Sequence, residues 1–174
     1  KGLIAKYVDR GSVVSLVAAP VKRQKIACTQ ASVLISGVIQ LLGYETVLEI
    51  VVAQGSFPNE LEIAELLKLN SGLFCLLLFI AGICFLASCL FSDTRYSIGL
   101  GAGIPALMYV LQMLANAGED AEKAKYFTFF TLFQPENLVA GKSSALMGVT
   151  ILLIGGIALF AAGIFLFCKK DLYI

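Results

Sequence analysis

Apolar residues along this chain are gathered into four long blocks that short polar stretches separate. Each block is about as long as the roughly 20 apolar residues that an α-helix needs to cross a bilayer. The second block is the most apolar, because it has no charged residue and contains twelve Leu, Ile or Phe side chains. We therefore predict four transmembrane helices, over residues 26–53, 71–91, 98–117 and 144–168.

Helices rather than strands are expected in these blocks. An open strand would leave backbone groups unpaired in lipid, and strands of a membrane barrel would alternate apolar and polar residues. The run LFCLLLFIAGICFLASCLF in the second block does not alternate. The predicted fold is an all-α, polytopic membrane bundle in a single domain, residues 1–174.

The connections after the first and third blocks are longer than neighbouring helices need. Residues 58–69, PNELEIAELLKL, have a helical pattern with Asn59 and Glu62 as a capping pair. Residues 126–139, YFTFFTLFQPENLV, are too short to span and too apolar for a solvated loop. We predict there a short extracellular helix that dips into the outer leaflet or packs over the helix ends. Residues 92–97 form a short link, which predicts a tight pair of helices.

Basic residues are unevenly divided between the two sides of the predicted bundle. Residues 1–25, 92–97 and 169–174 hold nine Lys or Arg residues, whereas residues 54–70 and 118–143 hold four. The second group also holds seven of the twelve acidic residues. Because cytoplasmic loops carry the excess of Lys and Arg, both ends of the chain are expected in the cytoplasm.

Composition agrees with a membrane protein, since hydrophobic residues make up 59% of the chain and charged residues 14%. The basic residues form no stripe with interleaved aromatics, so nucleic acid is not an expected partner.

The chain has no histidine, which removes Ser-His and Cys-His catalysis and His-based metal sites. Gly141-Lys142-Ser143 lacks the earlier glycine of a phosphate-binding loop, because Glu136 occupies that position. No catalytic, cofactor-binding or metal-binding residue is expected.

Small residues within the blocks are expected to serve packing. Gly99 and Gly103 have the spacing that lets two membrane helices approach closely. The five cysteines form no CxxC pair and are expected to pack as small apolar side chains without disulfides. These cysteines are Cys28, Cys75, Cys84, Cys89 and Cys168.

Polar side chains inside the blocks come in pairs four residues apart, which places each pair on one helix face. Such residues are costly in a membrane unless they are partnered. One interpretation is a polar path or gate through the membrane or between subunits. The other is snorkelling of the glutamates and helix–helix hydrogen bonds of the amides. The pairs are Gln40 with Tyr44, Glu45 with Glu49, and Gln112 with Asn116.

The segment before the first block, DRGSVVSLVAAPVKRQK, contains a seven-residue apolar segment, 13–19, which includes Ser15 and is stopped by Pro20. Seven residues cannot span a bilayer, but they can form two turns of helix on the membrane surface. Lys22, Arg23 and Lys25 would hold this helix to anionic lipid. A soluble partner could bind such a helix on the cytoplasmic side.

Three stretches resemble the ABC-2 type permease subunits of ABC transporters. The first, DRGSVVSLVAAPVKRQKIACTQ at residues 9–30, is similar to the segment before that family's third span. The second, YFTFFTLFQPENLVAG at 126–141, is similar to its outer F-T-L-F-x-P segment. The third, FCKKDLYI at 167–174, is like its cytoplasmic ending. The family has six spans, so the resemblance implies that two N-terminal spans precede Lys1.

The resemblance implies a concrete assembly in a bacterial plasma membrane. Two permease subunits, identical or different, would pair and form the substrate path within the bilayer. Two separate ATPase subunits, which bind ATP and Mg²⁺, would dock beneath them. Residues 9–20 would form a coupling helix that inserts into the ATPase and moves as a lever.

Specific residues of this chain match the family's segments. Those matching the coupling segment are Asp9, Arg10, Gly11, Ser12, Leu16, Pro20, Lys22 and Arg23. Those matching the outer segment, which would act as a structural gate, are Leu132, Phe133 and Pro135.

Two other functions remain open from the residues alone. The chain could be a membrane scaffold or regulator that binds a partner without transport. It could also be an intramembrane enzyme that acts on lipid, with Glu45 and Glu49 as acid and base.

Overall fold

The computed structural model describes residues 23–56, 63–91, 93–116 and 128–169, and all regular structure within these ranges is helical. Four of the helices are long and apolar enough to cross a membrane, so the chain is a polytopic helical membrane protein. The helices are α1 (Arg23–Ser56), α2 (Ile63–Leu90), α3 (Thr94–Asn116), a 3-10 helix (Phe129–Leu132), α4 (Pro135–Val139) and α5 (Ser143–Lys169).

Helices α1 and α2 are the longest of the described helices, and both are longer than a bilayer requires. At 1.5 Å per residue, the 34 residues of α1 extend about 51 Å and the 28 residues of α2 about 42 Å. The hydrocarbon core is only about 30 Å thick. Residues 63–69, which the sequence predicted to be helical in a connection, are the first turns of α2 itself. The predicted capping pair, Asn59 and Glu62, lies outside the described residues.

Helix α2 is the centre of the bundle and packs most extensively on α5. Glycines permit this close approach. A Cβ at Gly156 of α5 would lie 3.2 Å from the backbone nitrogen of Phe79, and one at Gly82 of α2 would lie 2.9 Å from Leu159 Cβ. Phe85 and Phe160 stack between the helices with ring centroids 5.1 Å apart. The α2–α5 pair is therefore the tightly packed core, a pairing that the sequence did not predict.

Helix α1 contacts this core through a narrow stripe. Ala27 and Ala31 are buried against α2 and α5, and Leu42 continues the stripe along the same face. Most other side chains of α1 are exposed, including Val47 and Val51. A spacing of about four residues between contacts is what one face of an α-helix presents. The remaining surface combines large apolar side chains with the polar Gln40 and Tyr44, and it is suited to lipid or to another protein.

Helix α3 pairs with α2, as the short link predicted. The Ser88 and Ser97 hydroxyls lie 3.2 Å apart, and both residues are buried. Helix α3 approaches α2 closely at Gly101, and the Gly101 carbonyl accepts a hydrogen bond from the Cys84 thiol at 3.1 Å. The close packing predicted at Gly99 and Gly103 is wrong for the described chain, because no atom lies within 4 Å of a Cβ at either position.

The connecting segment, residues 128–142, closes one end of the bundle. It consists of the 3-10 helix and α4, and it packs on α2, α3 and α5. Gly141, with a φ of 66°, makes the turn into α5, a left-handed conformation that favours glycine. The sequence predicted one short helix packed over the helix ends here, and the structure contains two.

Candidate functional site

The predicted coupling segment lies almost entirely outside the described residues. This applies to seven of its eight candidate contact residues, and the eighth, Arg23, is the first residue of α1. Their proposed contact with an ATPase subunit therefore stays a prediction. The seven residues are Asp9, Arg10, Gly11, Ser12, Leu16, Pro20 and Lys22.

The polar residues predicted on α1 fall into two groups. Gln40 and Tyr44 are exposed on the surface of the chain, Tyr44 by 69%. Glu45 and Glu49 are half-buried near the end of the helix. One carboxylate oxygen of Glu49 accepts a hydrogen bond from Asn70 Nδ2 at 3.0 Å. The second interpretation expected snorkelling of the glutamates, so this helix–helix hydrogen bond of Glu49 was not predicted.

Asn70 is a residue that the sequence analysis missed. Its side chain is only 6% exposed, and its Nδ2 also donates to the Thr46 hydroxyl at 2.9 Å. Its Oδ1 is buried without a hydrogen-bond partner. Asn70 stands where the amphipathic turns of α2 meet the apolar span, which is the sequence signal that could have identified it. These bonds fix the ends of α1 and α2 to each other.

Gln112 anchors the connecting segment to α3. Its Oε1 accepts hydrogen bonds from the hydroxyls of Thr128 and Thr131, the latter at 3.1 Å. The threonines belong to the connecting segment, and Thr128 is buried. Gln112 thus bonds within the same chain. Asn116, its predicted companion, is the last residue of α3.

The three candidate gate residues all lie in the connecting segment, but they have different surroundings. Leu132 lies on Gly148 of α5, where its carbonyl occupies the space that a Cβ would need. Phe133 packs against Gly72 of α2, with its ring edge 3.0 Å from a Cβ built there. Pro135 is exposed at the first position of α4, where its fixed φ suits a helix start. Leu132 and Phe133 therefore pack the connecting segment against α5 and α2, whereas the exposed Pro135 does not.

The structure does not gather the predicted polar path into one site. Helix α1, with Gln40 and Tyr44, packs on α2 and α5, whereas α3, with Gln112, packs on α2 and the 3-10 helix. A path formed by these residues would require a second chain.

A cavity of about 570 Å³ opens between α3 and the connecting segment. Its walls combine the rings of Phe130 and Phe133 with polar side chains, among them Gln112 and Glu136. Ligand pockets commonly have a volume of roughly 300–1,000 Å³ with apolar walls and a few polar groups. This cavity, formed where α3 meets the connecting segment, is a candidate binding site.

Comparison with known proteins identifies no relative: no family model, curated protein or solved structure matches the chain. Within the described ranges, no three His, Cys, Asp or Glu side chains are grouped so as to hold a metal ion. Among the described residues no disulfide joins the cysteines, and Cys75 and Cys89 are buried as packing residues. The described cavity offers hydrogen-bonding groups, aromatic rings and one carboxylate to a ligand.

Proposed function

We propose that this chain is a transmembrane permease subunit of an ABC-2 type exporter in a bacterial plasma membrane. It pairs with a second permease subunit, and separate ATPase subunits that bind ATP and Mg²⁺ dock on its coupling segment, residues 9–20. By itself it is not an enzyme. The proposal starts from the resemblance of residues 9–30, 126–141 and 167–174 to segments of that family.

The packing of α1 is the observation that most strongly supports a lever. This helix begins at Arg23, directly after the proposed coupling segment, and contacts α2 and α5 through its narrow stripe. The α2–α5 pair, by contrast, is interlocked through glycines such as Gly156. A force on the coupling segment would reach α1 first, and α1 has few interlocking side chains to resist a shift.

Charge distribution supports an orientation with the connecting segment outside the cell. The opposite end of the bundle carries exposed Lys25, Arg95 and Lys169 among the described residues. Lys169 also lies over the Phe165 ring, 4.4 Å from its centroid. Such interfacial cations are characteristic of the cytoplasmic ends of membrane helices.

Docking of the ATPase provides the direct test of the proposed function. The chain is co-expressed with a candidate ABC ATPase subunit from the same organism, and the complex is purified through a tag on the permease. Leu16→Asp should abolish co-purification and transport, because an unpaired charge would enter an apolar groove. Leu67→Asp introduces the same change on an exposed residue at the other end of the bundle and should leave the complex intact. If Leu16→Asp retains the ATPase as wild type does, residues 9–20 are not the docking site.

Cysteine labelling tests the orientation separately. In a cysteine-free background, Glu62→Cys and Glu122→Cys should react in intact cells with a membrane-impermeant thiol reagent. Asp93→Cys, in the link between α2 and α3, should react only after the cells are opened. Labelling of Asp93→Cys in intact cells would reverse the assigned orientation.

A further inference from the structure

The cavity beside the connecting segment lies at the end of the apolar spans. Leu138 of α4 contacts Gly72, in the first turn of the uncharged part of α2. Leu132 lies on Gly148, in the second turn of α5. The connecting segment therefore sits at the level where hydrocarbon gives way to headgroups. A ligand in this cavity would be at the depth of a phospholipid headgroup.

Hydrogen bonds within the cavity wall determine which polar atoms a ligand can use. Asn137 Nδ2 donates to Gln134 Oε1 at 2.6 Å, which leaves the Asn137 oxygen and the Gln134 nitrogen for a ligand. Gln112 Oε1 already accepts two threonine hydroxyls, which leaves the Gln112 nitrogen as a donor. The wall thus offers two amide donors and one amide acceptor.

Charge in the cavity wall comes from Glu136. Among the described residues around the cavity it is the one ionised side chain, and no lysine or arginine joins it. Among the described lining residues a negatively charged ligand meets no cation, whereas an ammonium group meets a carboxylate and the rings of Phe130 and Phe133. Glu136 and Asn137 both line the cavity, so it offers an acceptor from each. Hydrogen bonds to two acceptors favour a primary ammonium over a quaternary one.

We propose that this cavity binds the headgroup of a phospholipid with a primary ammonium, such as phosphatidylethanolamine. The ammonium binds Glu136 and the Asn137 oxygen, while the phosphate oxygens accept from the Gln112 and Gln134 amides. Phe130 and Phe133 enclose the carbon atoms between these groups. This site is independent of ATPase docking.

Native mass spectrometry of the protein purified from membranes tests the proposal. The detergent-solubilised protein is titrated with phosphatidylethanolamine, phosphatidylcholine and phosphatidylglycerol, and retained lipid is counted. Phosphatidylethanolamine should bind at least about tenfold more tightly than phosphatidylglycerol, the difference expected from one charge-assisted hydrogen bond. Equal retention of the three lipids would overturn the proposal.

Matched variants locate the site. Glu136→Gln should weaken phosphatidylethanolamine binding about tenfold, because it removes one charge-assisted hydrogen bond and preserves shape. Glu65→Gln makes the same change at a half-buried position on α2 that is not in the cavity wall, and it should bind like wild type. Phe130→Leu should also weaken phosphatidylethanolamine binding, although Glu136 is unchanged. If Glu136→Gln and Glu65→Gln behave alike, the lipid does not bind here.

Soluble phosphoethanolamine tests whether the cavity binds a lipid or a water-soluble amine. A lipid site gains much of its affinity from the chains that follow the bilayer, so the free headgroup should not displace phosphatidylethanolamine at equal concentration. If the free compound binds as tightly as the lipid, and loses affinity in Glu136→Gln, the cavity serves a water-soluble amine and the lipid assignment is wrong.

Discussion

Helices α1 and α5 are both membrane-spanning and strongly apolar, yet they are held in opposite ways. Helix α5 meets α2 backbone to backbone, with Gly156 and Gly163 making room for Leu78 and Phe85. Helix α1 touches the same core with a stripe that begins at Ala27 and leaves its larger side chains exposed. Hydrophobicity therefore indicates which segments enter the membrane, and small residues at the contact decide which helices lock together.

This difference in packing also separates the helices suited to provide stability from the helix suited to move. Lipid is as apolar as a leucine side chain, so exposure of Val47 or Val51 costs the chain little in the membrane. A helix that is not interlocked can shift without opening voids in the core. The α2–α5 pair is suited to be the fixed frame, and α1 to be the part that moves or meets a partner.

Substitution of glycine by leucine should expose this contrast most strongly. At Gly156, a Cβ would lie 3.2 Å from the Phe79 nitrogen and 3.3 Å from the Leu78 carbonyl carbon, and helix backbone cannot yield. We expect Gly156→Leu to lower the free energy of unfolding by about 3 kcal/mol or more. Gly37→Leu on α1, where no atom lies within 4 Å, should not lower it, because leucine also has the higher helix propensity. Reversible unfolding in mixed micelles measures both, and equal losses would refute the contrast.

A smaller change at Gly148 tests how the connecting segment is attached to α5. Gly148→Ala places a methyl group on the Leu132 carbonyl, so the 3-10 helix must move. We expect a loss of about 1–3 kcal/mol and faster proteolysis within residues 128–142. Gly43→Ala on α1 meets no neighbour within 4 Å and should stabilise its helix by up to about 1 kcal/mol. If the Gly148→Ala variant is more stable than wild type, the connecting segment does not pack on α5.

The Asn70 bonds are the specific polar link between α1 and the core. Asn70→Leu removes the bonds to Thr46 and Glu49, and we expect a loss of about 0.6–1.7 kcal/mol, the range for such bonds between membrane helices. The unpaired Oδ1 disappears with them, which keeps the loss modest. Gln40→Leu, on the exposed face of α1, is the matched control and should be neutral in the isolated chain. A destabilising Gln40→Leu would reveal a contact that α1 makes elsewhere.

The smallest effect is expected at the hydroxyl pair between α2 and α3. Ser88→Ala should reduce the free energy of unfolding by about 0.6 kcal/mol, because the buried Ser97 hydroxyl loses its neighbour. The double variant Ser88→Ala with Ser97→Ala should recover part of this loss. Ser36 on α1 bonds to the Val33 carbonyl of its own helix, so Ser36→Ala serves as the control. No recovery in the double variant would indicate that the pair is not coupled.

The sequence was sufficient to predict the spans, because their length and apolar content depend on local composition alone. It was not sufficient to predict helix pairing. Gly99 and Gly103 have the same spacing as closely packed glycines elsewhere, but they face away from the described helices, and Gly101 makes the contact instead. Which glycine faces a neighbour depends on helix rotation, which is set by the whole bundle.

The candidate site was only partly predictable for the same reason. Gln112 was identified as a costly polar residue, but its partners Thr128 and Thr131 lie at least 16 residues away in the sequence. Asn70 was missed because it stands at the boundary of a span, where polar residues are ordinary. The cavity at Glu136 forms only where α3, the 3-10 helix and α4 come together, and no local sequence pattern predicts that packing.

Photo-cross-linking from position 16 tests the central claim most directly. A photoreactive amino acid is placed at Leu16 or at Leu67 of the chain in membranes that contain the candidate ATPase subunit. If the chain is a permease coupled through residues 9–20, light should link the ATPase to position 16, and position 67, at the other end of the bundle, should give no such product. Absence of an ATPase adduct at position 16, or an adduct at position 67 alone, would contradict the account.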